Sequence, residues 1–241
     1  MEMPAPNQNV LKRKPELVKR LLSVLPRDAV IDHEAETKAY ECDALSAYRC
    51  PPIAAVLPRT TEETAAILKI CNEMQVPVVP RGSGTSLSGG ALPTADSVIL
   101  GVARMNAVLE TNYPDRYIKV QSGRTNLSVT GAVEADGFFY APDPSSQLAC
   151  AIAGNIAMNS GGAHCLKYGV TSNNLLGVKF VTMQGDIIEI GGPHLDAEGL
   201  DLLGLICGSE GPQTATLALT IDGALREVTA EGDGPVDATF N

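Results

Sequence analysis

Between residues 76 and 90 a short apolar run, Val76-Pro77-Val78-Val79-Pro80, meets Arg81 and then a loop of small polar residues, Gly82-Ser83-Gly84-Thr85-Ser86-Leu87-Ser88-Gly89-Gly90. So little side-chain bulk leaves successive backbone N–H groups able to turn inward as a nest around an oxyanion. Glycine permits the positive φ angles and close approach that a nest needs. The Ser and Thr hydroxyls add donors, and Arg81 offers a charged, forked donor at the mouth. The loop is neither of two common phosphate motifs. It lacks the lysine of a P-loop, and Leu87 stands where a Gly-x-Gly-x-x-Gly fingerprint begun at Gly82 requires glycine. A flexible Gly/Ser linker is the competing reading. Strand-like residues on both sides, at 76–79 and 97–100, favour a structured turn.

Four further constellations follow. Pro142-Asp143-Pro144-Ser145-Ser146 is a rigid turn in which two prolines restrict Asp143; an ordinary surface turn is the alternative. Gly154-Asn155-Ile156-Ala157-Met158-Asn159-Ser160-Gly161-Gly162 combines small residues, against which a planar ring can lie, with two side-chain amides. A loop followed by a helix start explains it equally well. His164, Lys167 and Tyr168 come next, and a lone histidine is more often structural than catalytic. Gly208-Ser209-Glu210-Gly211 is another tight polar turn.

The elements that must hold these groups are legible in outline. Residues 15–25 read as a helix, with Leu17, Leu21, Val24 and Leu25 on one face and Pro15 in the first turn. Residues 32–50 have no clear period and form a connecting segment. Residues 53–57 are strand-like. Thr60-Thr61-Glu62-Glu63 fits a capping box, with Thr60 as N-cap and Glu63 reaching back. The helix it opens carries the stripe Ile67, Ile70, Cys71, Met74. Residues 76–79 form a second strand, parallel to the first through a βαβ connection. The Gly/Ser loop therefore falls at the carboxyl end of a strand, where open α/β sheets bind ligands. Downstream the pattern turns antiparallel: strands at 108–110 and 117–121 around Pro114-Asp115, a helix at 127–135 ending at Gly137, and a hairpin at 178–183 and 187–190 around Gln184-Gly185-Asp186.

Composition narrows the function classes. The chain has 241 residues, 18 basic and 28 acidic, for a net charge of −10. That disfavours nucleic acid as a partner and means that an anionic cofactor must be held by local dipoles. There is no apolar run of about 18 residues to span a membrane and no secretory leader at 1–14. Cys42, Cys50, Cys71, Cys150, Cys165 and Cys207 form no Cys-x-x-Cys pair, and His33, His164 and His194 have no ligand spacing, so no metal site is expected. Scattered cysteines read as reduced thiols of a cytoplasmic protein.

In order along the chain, Arg81-Gly82-Ser83-Gly84-Thr85-Ser86-Leu87-Ser88-Gly89-Gly90, Pro142-Asp143-Pro144-Ser145-Ser146, Asn159-Ser160-Gly161-Gly162, Lys167-Tyr168-Gly169 and Gly208-Ser209-Glu210-Gly211 resemble the FAD-binding domain of FAD-linked oxidases of the vanillyl-alcohol oxidase and p-cresol methylhydroxylase type. Within that group the likeness is nearest to the FAD subunits of bacterial glycolate oxidases, with D-lactate dehydrogenases as near relatives; the stretch 40–49 supports the narrower match. The resemblance implies an α+β, two-subdomain PCMH-type FAD-binding fold, a βαβ subdomain followed by a mainly antiparallel sheet subdomain with helices. It spans 53–220, after an N-terminal helical extension (1–52) and before a divergent tail (221–241). It implies FAD as cofactor, with Arg81, Gly82, Ser83, Gly84, Thr85, Ser86, Ser88 and Gly89 cradling the pyrophosphate. Pro142, Asp143 and Ser145 match the turn beside the cofactor, and Gly154, Asn155, Asn159, Gly161 and Gly162 the segment near the flavin. The implied reaction is oxidation of a 2-hydroxy acid, glycolate or D-lactate, by hydride transfer to flavin, in company with partner subunits through which the protein associates with a membrane. The family's C-terminal cap, which supplies the substrate-binding groups, is absent from the chain, so no catalytic base is named. A non-catalytic FAD-binding module, or a truncated product, is the alternative. Two departures stand out. Ala153 occupies a position where the family has glycine, and after Gly211 the sequence Pro212-Gln213-Thr214-Ala215-Thr216 replaces a cofactor-contacting strand.

Overall fold

The computed structural model describes residues 3–194, 199–210, 213–221 and 224–232. The chain divides into two compact units. The first comprises 1–140, 146–154 and 179–189, and the second 141–145, 155–178 and 190–241.

The first unit opens with α1 (Gln8–Lys12) and α2 (Lys14–Leu21). Pro15 lies in the first turn of α2, where its missing N–H costs nothing. The helix ends before Val24 and Leu25, yet Leu25 is buried with Leu17 and Leu21. The two-residue strand β1 (Val30–Ile31) follows. The connecting segment then contains one short helix, α3 (Glu34–Thr37). Next come β2 (Ala54–Val56), α4 (Thr61–Glu73), β3 (Val78–Arg81) and β4 (Val98–Gly101). The four strands form one sheet in the order β1-β2-β4-β3. β2 and β3 are parallel, as the βαβ reading requires, but both pair with β4, which lies between them, while β1 is antiparallel to β2.

Burial explains that order. β4 and β2 are buried along their whole lengths and are apolar apart from the terminal Gly101, the signature of interior parallel strands. β3 carries Pro80, which cannot donate to a ladder, and it occupies the edge. The α4 stripe Ile67, Ile70, Cys71 and Met74 is buried against Val10, Leu17, Leu21, Val56 and Val98 in a single core. The N-terminal helices thus belong to the same core as the sheet. Burial also pushes the Cys71 thiol up to about 12.

The unit continues through the hairpin β5 (Val108–Asn112) and β6 (Tyr117–Val120) and the helix α5 (Asn126–Gly131). The helix expected at 127–135 is broken: α5 stops early, and a 3-10 turn, Glu134–Asp136, carries the chain to Gly137 at φ +81°. Helix α6 (Ile152–Met158) takes the chain from the first unit into the second. The second unit holds α7 (Cys165–Tyr168), the open ends of the hairpin β7 (Gly177–Val181) and β8 (Ile187–Gly191), α8 (Leu202–Ile206), and a two-stranded antiparallel ladder of β9 (Gln213–Ile221) and β10 (Ala224–Gly232). The sequence that departs from the family after Gly211 thus contains strand β9, and the segment read as a divergent tail contributes its partner. No described helix is long and apolar enough to cross a membrane.

Candidate cofactor site

In the first unit the glycine loop begins where β3 ends, at Arg81. Arg81 does not reach into the nest. Its Nη1 donates to the carbonyls of Cys42 (2.8 Å) and Ala91 (3.5 Å), and its guanidinium lies 5.9 Å from the Tyr40 ring centroid. Gly84, at φ +67°, packs directly on that guanidinium, so that a Cβ there would collide with it. The arginine is the brace over which the loop folds. Further on, the Ser86 hydroxyl accepts from the Ser88 N–H (3.1 Å), and Gly89 turns at φ +83°. The N–H groups of Gly82, Ser83, Gly84 and Thr85 donate to no acceptor among the described residues.

Gly82 and Ser83 form one wall of a cleft of about 350 Å³ whose other walls are Ala103, Asn106, Gly123, Arg124, Thr125, Ser128 and Ala151. Two features build it. The segment 150–153 pairs with 122–126: Asn126 N–H donates to Cys150 C=O, Ile152 N–H to Arg124 C=O, and Ala153 N–H to Ser122 C=O, each at 2.9 Å. Gly123 then approaches the Val102 carbonyl so closely that no Cβ fits, and its N–H donates to Met105 C=O at 2.8 Å. Arg124 spends Nη1 on the Asn106 carbonyl (3.1 Å) and Nη2 on the Ser128 carbonyl (2.9 Å). Its Nε is shut off from solvent with no hydrogen-bond partner among the described residues. Of the cleft, sequence reasoning had found only Gly82 and Ser83. The signal it passed over is Gly123-Arg124-Thr125, a glycine and a cation between the end of β6 and the start of α5.

In the second unit Asp143 and the two glycines come together. The Asp143 carboxylate accepts from the His164 N–H (3.2 Å) and meets His164 Nδ1 at 2.6 Å. The hydrogen bond from the imidazole is the largest of the effects holding the Asp143 carboxyl below its ordinary value. Gly162 packs on the Asp143 backbone and carboxylate, and Gly161 on Val170, with no room for a Cβ at either. Asn159, at φ +49°, accepts on Oδ1 from Ser172 N–H (2.9 Å) and from the Cys207 thiol (3.5 Å). Asn155 is 1% exposed, and its Nδ2 has no acceptor among the described residues. Pro142 is buried and Ser145 exposed. His164, which the sequence left with a structural prior, is the partner of a predicted site residue, with its side chain 68% exposed.

Residues 52–191 match the family described as FAD binding domain. The chain belongs to this family. This FAD-binding domain is 47% identical over 197 residues to the glycolate oxidase subunit GlcD of Escherichia coli K12, covering 82% of this chain and 40% of that one. It is 31% identical over 212 residues to the D-lactate dehydrogenase of Anaerostipes hadrus, covering 87% and 44%. The chain thus spans about two fifths of the length of the curated relatives it matches. Among solved structures, an alkyldihydroxyacetonephosphate synthase superposes with a TM-score of 0.71 at 22% identity, covering 95% of this chain and 44% of that one. A p-cresol methylhydroxylase superposes with 0.57 at 20%, covering 78% and 36%. These likenesses establish the PCMH-type α+β fold.

The residues of this FAD-binding domain fit the group that its family binds. An extended dinucleotide with an anionic pyrophosphate needs unspent donors and bare backbone, and both are present. In the first unit, the 82–85 amides and Arg124 Nε are donors without acceptors among the described residues. At Gly154, a Cβ would meet nothing within 4 Å, so the backbone there is open to close approach. Ala153, the departure from the family's glycine, is half-buried with its N–H bonded to Ser122 C=O.

Proposed function

We propose that this chain is the FAD-binding portion of an oxidoreductase that oxidises a 2-hydroxy acid of the glycolate or D-lactate class. The observation that carries the reading is the set of unspent N–H groups at 82–85, beginning with Gly82 and Ser83 in the wall of a cleft at the carboxyl end of a parallel strand. Such a nest binds an oxyanion without the bulk of side chains. Bound FAD supplies the hydride acceptor of the reaction.

The chain's own residues divide the remaining work. Gly82, Ser83, Gly84 and Thr85 present backbone donors to the pyrophosphate, Ser86, Ser88 and Gly89 close the turn that shapes them, and Arg81 holds the loop from behind. Pro142, Asp143 and Ser145 form the turn beside the cofactor. Gly154, Asn155, Asn159, Gly161 and Gly162 form its flavin-proximal segment, where Gly154 leaves the backbone open to a planar ring. Asp143 meets His164 Nδ1 at 2.6 Å and so orients the imidazole. Relatives named for glycolate and D-lactate support the substrate class, and the subunit naming of the glycolate oxidase relatives supports partner subunits.

The test is the visible absorption spectrum of the purified chain after incubation with FAD and desalting. A retained flavin spectrum is expected. A folded, monodisperse sample that emerges without flavin overturns the reading.

A further inference from the structure

Resting on the FAD reading above, we propose that Arg124 is the cation that neutralises the diphosphate in this domain, and that Arg81, the arginine of the glycine loop itself, is not. Arg81 is committed: its guanidinium donates to two main-chain carbonyls, stacks near Tyr40 and fills the space above Gly84. Turning it towards a ligand would break the loop that presents the amides.

Arg124 also donates to main-chain carbonyls, but it differs in place. It lines the same cleft as Gly82 and Ser83. Two carbonyls, Asn106 and Ser128, fix its plane, and it forms an ion pair with no carboxylate among the described residues. Its Nε is buried with its hydrogen bond unmade. A half-buried guanidinium that faces only carbonyls is an uncompensated charge, and such a charge is costly until an anion arrives. The cleft is also lined by Ser83, Thr125 and Ser128, of which Ser128 donates its hydroxyl to the Thr125 carbonyl at 2.7 Å. At about 30 Å³ per water-sized group, its volume of about 350 Å³ accommodates a diphosphate. The need for such a cation is general to the molecule: with a net charge of −10, the overall field repels a dianion, and only a local positive group reverses it. A planar fork beside a row of amides is the donor geometry that phosphate oxygens take.

The experiment is calorimetric titration of the wild type and Arg124→Gln with inorganic pyrophosphate, FAD and riboflavin, at low salt and millimolar pyrophosphate. Loss of a charge-assisted contact is expected to weaken pyrophosphate and FAD by roughly 10–100-fold and to leave riboflavin, which has no phosphate, unchanged. Arg124→Lys, which keeps the charge and loses the fork, is expected to recover part of the affinity. Unaltered pyrophosphate and FAD affinities in Arg124→Gln overturn the inference while leaving the FAD reading standing. A wild type that binds pyrophosphate through Arg124 but not FAD upholds the inference and sinks that reading. A wild type that does not bind pyrophosphate overturns the inference. Should Arg124→Gln lose its circular dichroism, Ser128→Asp replaces it. A carboxylate in the same cleft is expected to lower pyrophosphate affinity to a similar degree, and an unchanged affinity overturns the proposal.

Discussion

At the scale of single residues, the two arginines beside the glycine loop show how packing and placement decide a role. Both are cations near unspent amides and both donate to main-chain carbonyls, but Arg81 packs against Gly84 and Tyr40, while Arg124 lines the cleft with its Nε unpartnered among the described residues. The Asp143–His164 contact works similarly, through a carboxylate that holds an imidazole in one orientation. Asp143 has a folded-state pKa depressed below its ordinary 3.8. Its contribution to stability is therefore complete above that value and is lost as pH falls through the lowered one. Thermal melts of wild type and Asp143→Asn are expected to differ at neutral pH and to converge as pH drops below 3.8. A gap that persists unchanged in acid would show that the carboxylate's charge is not what stabilises the turn. The pair is well exposed, so the gap is small.

At the scale of elements, α4 and β3 position the loop. Thr60 caps α4 as its spacing predicts: its Oγ1 accepts from the Glu63 N–H at 3.1 Å. The return bond is displaced by one residue, because Glu63 Oε2 accepts from the Arg59 N–H (2.6 Å) instead of from Thr60. Removing the cap hydroxyl in Thr60→Ala is expected to cost about 0.5–2 kcal/mol in urea unfolding. Thr60→Ser should restore most of it. An unchanged urea midpoint in Thr60→Ala would mean that burial of the apolar stripe alone sets where the helix begins. β3 has its own local logic. Pro80 confines the strand to the sheet edge, and the chain leaves the edge directly into the glycine loop. The βαβ spacing made β2 and β3 parallel, but it carried no information on what lay between them. The neighbour is β4, whose fully buried, apolar run fits an interior position.

At the scale of the whole molecule, one core joins α1, α2 and α4 to the four-stranded sheet of the first unit. Leu21 is completely buried in it. Leu21→Ala is expected to lower stability by about 2–5 kcal/mol, measured by chemical denaturation. A loss well below that range would show that α2 is docked loosely and that the family-matched region, which begins at residue 52, stands without it. What could be read from the chain alone was whatever depends on neighbours in sequence: the stripe on α4, the cap at Thr60, the hairpins around Pro114 and Gly185, and a glycine loop at a strand end. Local propensity, periodicity and turn chemistry are short-range properties, so residue order contains them. The insertion of β4, the break after α5, the pairing of Asp143 with a histidine 21 residues away and the capture of Arg81 by a carbonyl 39 residues away were not legible. Nor was the arrival of Arg124 in the cleft, which depends on the pairing of 122–126 with 150–153. Residue types established that donors for an anion existed; folding selected which of them remained unspent, because a donor's availability depends on every acceptor that distant segments bring within reach.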